Sequence, residues 1–599
     1  MLLPWFLAAA SLQLAAAKIW ENADDLKKLN MSFDFIVVGG GNAGNVVANR
    51  LSENPKYSVL VLEAGGSDAG ILAIEAPLLC GLATPFTAQD WNYTTTPQAG
   101  LNNRVIQYPR GFVLGGSSSV NYLVYTTGSK EDWDRFAKVS KDDRWSWDAL
   151  VPYMRKNEKF TQPVDHHNIT GQINPKVHGF NGINSVSLSG LPTEIDSKVI
   201  SSLGGEFPFN LDMNSGNHLG VGWTQITSLN GSRSSSSTSY LAPKYVNRPN
   251  LQVLLHAQVS RVLPTAPGAP TDFRTVEFRD GKGAFCRIST LTAKKEVVLS
   301  AGSVGTPSIM MHSGIGDSSA LNKLGIKPLV NLPGVGRNLS DHALLIMAWS
   351  VDDSANTYDP IFQNSTVFAE AVAQWQTTRT GRLTQTIVPQ IGWARIPQSV
   401  SSALFGNGSI PDPAAGPNTA HYEIVFSNGV VGPPPAPGKY FGITVAVTSP
   451  ASRGSVTINS ADPFAAPLIN PNFMGDKVDL VIMREAVKAA MRFSAKPALK
   501  GYVQAAGAPV QFGSNAPTDE AIDEFIRANT ATVFHPVGTA AVSPVGAKWG
   551  VLDPNLRVKG LKGLRVVDLS VLPYIISAHT QAPAYIVGER GADMIKADW

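Results

Sequence analysis

The sequence has little cysteine and little charge: 599 residues contain two Cys, 16% charged residues and a formal net charge of +3. Cys80 and Cys286 cannot build a disulfide framework, or a four-ligand zinc site without other ligands, and at most one bridge could join them. No Lys/Arg run exceeds a pair, so the concentrated basic face that nucleic acid requires is missing. Past the N-terminus no apolar stretch reaches the length of a membrane span without a charge or a breaker, which predicts a soluble mature protein with no membrane partner. A G-x-S-x-G elbow, an H-E-x-x-H pair and a P-loop lysine are absent, leaving no support for a serine hydrolase or a metalloenzyme, and no metal is expected. The length allows two to four domains and a large core.

Met1 to Ala17 runs apolar through Leu2, Leu3, Trp5, Phe6 and Leu7 and closes on Ala15-Ala16-Ala17. Such a small-residue ending reads as a secretory signal peptide over residues 1–17, cleaved near Lys18. Sequons at Asn30, Asn92, Asn168, Asn230, Asn338, Asn364 and Asn407 fit passage through a secretory pathway. The expectation is a secreted, extracellular glycoprotein.

Glycine, by contrast, is plentiful at 54 residues, and its placement carries information. The β-branched run Phe35-Ile36-Val37-Val38 leads into Gly39-Gly40-Gly41-Asn42-Ala43-Gly44, then a helical pattern through Val46, Val47, Ala48 and Leu51, then Val59-Leu60-Val61-Leu62 ending at Glu63. Strand, glycine turn, helix, strand and acid in this register make a dinucleotide-binding βαβ unit. Gly39 permits the tight turn, Gly41 leaves room for a pyrophosphate, Gly44 lets the helix pack on the sheet, and Glu63 would accept from ribose hydroxyls. These residues alone leave the choice between FAD and NAD open. Strand-like pieces recur from Leu251 to Val262, from Glu296 to Ala301 and from Leu564 to Asp568, so one α/β domain assembled from separated segments is predicted. Residues 346–450, rich in Thr, Ser, Pro and aromatics, read as strands joined by long loops, and the serines of 231–239 lead into a short helix.

A second glycine stretch runs from Pro109-Arg110-Gly111 through Gly115-Gly116-Ser117-Ser118-Ser119 to Asn121. With it come Gly302 to Pro307, Ser313-Gly314-Ile315-Gly316, Gly336 to His342, Phe534 to Thr539, Val567-Asp568 to Leu572-Pro573, and Ala578-His579-Thr580-Gln581. In this order the motifs resemble those of the glucose-methanol-choline oxidoreductases, and more narrowly of fungal aryl-alcohol oxidases. The resemblance covers essentially the whole mature chain. It implies a Rossmann-like FAD-binding domain with discontinuous segments, residues 33–80, 108–160, 225–345 and 530–599. An α+β substrate-binding domain, an antiparallel sheet with helices, would take residues 81–107, 161–224 and 346–529.

Carried over position by position, Gly39, Gly41, Asn42, Ala43, Gly44 and Glu63 would hold the ADP half of the cofactor and Val259 the adenine. Arg110, Gly115, Gly116, Ser117, Ser118, Asp568, Thr580 and Gln581 would border the pyrophosphate and flavin. Asn121 stands where some relatives attach flavin through His, so FAD is expected to be bound non-covalently. His535 is implied as the base that takes the hydroxyl proton while hydride leaves for the flavin, with His579 orienting the same oxygen; a neutral imidazole has suitable basicity. The other histidines, His342 among them, read as structural. Tyr122 and Phe534 match aromatics around the substrate. Val431 falls where aryl-alcohol oxidases carry an aromatic gate, predicting a wider entrance. The implied activity is a monomeric alcohol oxidase producing aldehyde and peroxide for lignocellulose degradation. Its alternatives are a dehydrogenase passing electrons to quinone or another acceptor, and a non-redox hydroxynitrile lyase of the same fold.

Overall fold

The computed structural model describes residues 19–28, 31–281, 286–504, 509–513 and 517–599; the expected signal segment, residues 1–17, and Asn30 fall outside them. A six-stranded sheet runs in the order Ile19–Trp20, Leu251–Leu254, Val59–Leu62, Phe35–Val38, Glu296–Leu299, Leu564–Val566. All its pairings are parallel. The four central strands are buried at every position, as a sheet covered on both faces requires, and this explains their largely Val/Leu/Ile texture, interrupted only by Phe35, Gln252 and Glu296. The sheet begins at Ile19, ahead of the boundary expected at residue 33. His256, at a φ of +54°, breaks the run expected from Leu251 into that strand and a second, Ala257–Leu263. The second strand starts an antiparallel ribbon with Thr275–Asp280 and Arg287–Thr292.

The helix Asn42–Leu51 connects the two middle strands and starts at Gly41. A Cβ on Gly44 would stand 2.0 Å from the Gly39 carbonyl oxygen, so only glycine allows the helix this close to the turn. The C-terminal helix Gln581–Asp598 lies against it, Gly588 facing Ala43 and Val46. Arg50 fixes the contact, donating to both oxygens of fully buried Glu589 at 2.7–3.0 Å, while Tyr240 Oη donates to the same carboxylate at 2.7 Å. Removing one partner of such a buried pair costs about 3–5 kcal/mol.

A five-stranded antiparallel sheet has the order Gln390–Ala394, Tyr422–Ser427, Tyr440–Val447, Ala343–Ser350, Ala531–Thr532. The helix Lys477–Ser494 covers it with a face that includes Val478, Ile482, Ala486, Ala490 and Phe493, whose ring centre is 4.3 Å from that of Phe426. Residues 346–450 are not only strands and loops: helices Asp359–Gln363, Ser365–Thr378 and Gln398–Phe405 intervene. Ala531–Thr532, grouped in sequence with the parallel sheet, instead pairs with Ala343–Leu344 as an antiparallel edge. That pairing brings the segment after residue 531 beside the segment before residue 343. Among the described residues no helix is long and apolar enough to cross a membrane.

Candidate active site

One cavity of about 560 Å³ extends from the glycine turn to His535 and His579. Gly39, Gly41, Asn42, Ala43, Glu63, Arg110, Gly116, Ser117, Asn121, Val259, Asp568, Thr580 and Gln581 line it, and so do Tyr122, Phe534 and Val431. Gly44, Gly115 and Ser118 stand behind the wall instead of on it. Gly44 packs on Gly39, and Ser118 donates through Oγ to the Gly115 carbonyl at 2.7 Å while its amide donates to Asn42 Oδ1 at 3.0 Å.

The cradle is made largely of backbone. Gly41 and Gly116 face each other so closely that a Cβ on Gly116 would stand 2.9 Å from the Gly41 Cα, and Gly116 has a φ of +54°. Glu63 faces the cavity, yet its oxygens accept from the Gly40 and Gly65 amides at 2.8 and 2.7 Å, so the acid expected for a ribose also fixes the glycine turn. Burial raises its pKa to about 7 in spite of those bonds. Asp568 is spent in a similar way, accepting from Gly302 N, Thr306 Oγ1 and the amide and hydroxyl of Ser570. Asn121 is held at both ends of its amide: the NH₂ donates to Gln581 Oε1, and Oδ1 accepts from Leu123 N at 3.0 Å and Arg233 Nη1 at 2.7 Å. Arg233, in the serine-rich stretch 231–239 that leads into a short helix, is buried, and burial lowers its pKa to about 10.

At the other end the antiparallel sheet assembles the chemistry. Buried Asp341 accepts from the His342 and His535 amides, both at 2.8 Å, and from Tyr108 Oη and Thr532 Oγ1 at 2.6 and 2.7 Å. One carboxylate thereby fixes the backbone at His535. Phe534 is held in the left-handed region at a φ of +66°, its amide donating to Thr532 Oγ1 at 2.7 Å. For a bulky residue that conformation is strained, and it turns His535 toward the cavity. The His535 and His579 rings stand edge to face, 4.9 Å between centres. His579 is anchored through its amide to Thr126 Oγ1 at 2.8 Å and through Nε2 to Glu423 Oε1 at 2.6 Å. Arg110 ties the two ends together: its guanidinium donates to Ser117 Oγ at 2.7 Å and to the Phe534 carbonyl at 2.8 Å. Burial, with His579, His342 and Arg110 nearby, holds the His535 pKa well below the ordinary histidine range, so the ring is a neutral base at pH 7.

Sequence reasoning missed Glu423 and placed His342 with the structural histidines. The signal for Glu423 was available: it is the one acid in Tyr422–Ser427, a strand buried at every position, and acids are seldom fully buried unless paired. His342 closes the motif Gly336 to His342, but that motif alone does not assign it to the site; its Nδ1 lies 3.0 Å from Nδ1 of His535.

A backbone-lined cradle open to a pair of histidines joins a cofactor-sized slot to groups that can move a proton, the arrangement of a cofactor-dependent enzyme. Residues 33–344 and 450–588 match the two parts of the GMC oxidoreductase family, and the chain belongs to that family. It is 39% identical over 587 residues to Dehydrogenase eriK of Hericium erinaceus, covering 96% of each chain. It is 38% identical to Pyranose dehydrogenase 3 of Leucoagaricus meleagris, covering 98% of this chain and 97% of that one. Among solved structures, formate oxidase from Aspergillus oryzae RIB40 is 30% identical with a TM-score of 0.85, covering 95% of this chain and 98% of that one. A fungal aryl-alcohol oxidase is 25% identical with a TM-score of 0.79, covering 95% and 99%.

The cofactor is FAD. The residues present fit it: Gly41 and Gly116 leave a backbone-lined slot, and the helices Asn42–Leu51 and Gln581–Asp598 both start at the cavity, where their unpaired amides favour an anion. When bound, the flavin would supply a two-electron acceptor.

Proposed function

We propose that the protein oxidises a primary alcohol on an aromatic or allylic body to its aldehyde, acts as a secreted enzyme, and holds FAD without a covalent bond. The observation that carries this reading is the neutral His535 beside carboxylate-anchored His579, at a cavity end walled by Tyr122, Val388, Val425, Val431 and Phe534. In this reading His535 takes the hydroxyl proton, and His579, braced by Glu423, orients the alcohol oxygen so that the carbon's hydrogen faces the cofactor. The apolar walls favour an aromatic or allylic body over the pyranose that stands in the names of four relatives at 38–39% identity. The amide of Asn121 offers neither a nucleophile nor an imidazole for a flavin bond.

For the acceptor, the relatives at 38–39% identity are named dehydrogenases, which supports a quinone-type acceptor. The surroundings of His535 point the same way. An imidazolium at His535 would stabilise the anion formed when oxygen takes electrons, and its surroundings disfavour that charge. Oxygen as acceptor, with release of peroxide, is the second reading, favoured by the likeness to oxidase structures.

The test is anaerobic mixing of the yellow holoprotein with benzylic, furfuryl, allylic and pyranose alcohols, followed by oxygen or benzoquinone. Bleaching by the benzylic or allylic members, with faster recolouring by quinone than by air, is the expected result. A flavin that stays oxidised across the panel overturns the redox reading and leaves the lyase alternative.

A further inference from the structure

His342 and His535 meet through equivalent atoms, Nδ1 to Nδ1 at 3.0 Å, with ring planes 82° apart. Two nitrogens at this distance form a hydrogen bond only if one carries the proton and the other a lone pair, because two lone pairs or two N–H groups repel. The tautomers of the two rings are therefore linked. In one arrangement His535 Nδ1–H donates to His342, which leaves a lone pair on His535 Nε2, the nitrogen not engaged by His342 on a ring that borders the cavity. In the other, His342 donates, and His535 carries its proton on Nε2, where it can accept nothing from a substrate.

The reading of His535 as the base selects the first arrangement, since only there does its Nε2 keep a lone pair on the cavity. The His342 ring is fully buried, and its Nε2 makes no hydrogen bond of normal geometry, so His535 is its one side-chain hydrogen-bond partner among the described residues. Burial, which lowers the pKa of both rings, keeps the pair in neutral tautomers rather than as an imidazolium.

We propose that His342 is a positioning residue that sets the tautomer of His535, accepting from its Nδ1–H and so keeping the Nε2 lone pair on the cavity. The proposal rests on the reading of His535 as the base. It gives a chemical role to a side chain that the sequence places among structural histidines, and it needs no contact between His342 and substrate.

A neutron structure of the oxidised holoprotein after exchange into D₂O reads the protons directly. Deuterium on His535 Nδ1 and His342 Nε2 is expected; deuterium on His535 Nε2 overturns the proposal. Kinetics supply the second arm. His342→Phe keeps the ring volume but removes the acceptor, and should retain FAD and alcohol affinity while flavin reduction slows about 10²-fold, since a misplaced proton removes general-base catalysis. His342→Asn, whose Oδ1 can replace Nδ1 as acceptor, should recover most of that loss. A His342→Phe protein that reduces at the unaltered rate overturns the proposal, as does a His342→Asn protein no faster than His342→Phe. His535→Ala separates the two ideas: wild-type flavin reduction there removes the base reading itself, while the neutron map still tests the tautomer pair. If a His342 variant does not fold, the map of the unaltered protein decides.

Discussion

The two ends of the cavity are built on different principles. The dinucleotide end is backbone: glycines that let chain approach chain, a helix start, and acids consumed in fixing the turns around them. The histidine end is side chains drawn from four distant places, His342, Glu423, His535 and His579, brought together by one antiparallel sheet and one helix start. A backbone cradle tolerates changes of side-chain chemistry but not of volume. The histidine end should do the opposite.

The sharpest break in that comparison is His535→Ala. FAD content should be unchanged, because the ring lies outside the glycine cradle, while the rate of anaerobic flavin reduction should fall by about 10²–10⁴-fold, the usual worth of a general base. In the unaltered protein, the lowered His535 pKa means that the neutral base is already fully formed at and above the ordinary histidine value of 6.5. Activity should therefore show no loss from His535 protonation between pH 6.5 and 8, with any acid limb below that window. A pH–rate profile of flavin reduction checks this; an acid limb centred at or above 6.5 that disappears in His535→Ala would falsify the lowered value.

Gly44→Ala is the mirror image. Its Cβ would stand 2.0 Å from the Gly39 carbonyl, so the turn or the helix must shift, at a cost of about 1–3 kcal/mol for overpacking. If that cost falls on the bound state, FAD should dissociate about 10- to 100-fold more readily. Equilibrium dialysis gives the flavin affinity, and the rate per bound flavin should stay near the unaltered one. A variant that binds flavin normally but reacts slowly would erase the distinction between the two ends.

The same difference governs what could be read from the sequence. The cradle is legible because its parts are local: Gly39 to Gly44 and Glu63 lie within one βαβ unit whose periodicity and glycine spacing state their purpose. The parallel sheet could be foreseen from its four central strands, apolar but for Gln252 and Glu296, although Ile19–Trp20 is too short to signal itself. His535 and His579 emerged only through resemblance, since nothing in the local pattern of either segment distinguishes a catalytic imidazole from a buried structural one. The link from His579 to Glu423 spans 156 positions and that from His535 to His342 spans 193. Such contacts follow from sheet register, which composition does not encode. The helices within 346–450 were hidden for another reason. Asn364 accepts from the Thr366 and Val367 amides, a cap that starts the helix Ser365–Thr378 inside a Ser/Thr-rich stretch whose texture suggests a loop.

The smallest expected effect tests the boundary between the ends and solvent. Val431 lines the cavity just before Gly432, in a loop pinned where Asp359 accepts from the amides of Val430 and Tyr440 at 3.0 and 2.9 Å. Because both ends of the loop are tied to one carboxylate, Val431→Phe should add volume at the cavity wall without releasing the loop. Flavin affinity should not change, and benzyl alcohol should react within a few-fold of the unaltered rate. Bulkier alcohols, with two rings or a branched body, should lose several-fold in kcat/KM through KM, as expected when access is restricted while the reacting geometry is kept. An equal loss for small and bulky alcohols would place Val431 against the reacting carbon instead of at the entrance. No change for either would remove it from the substrate's path.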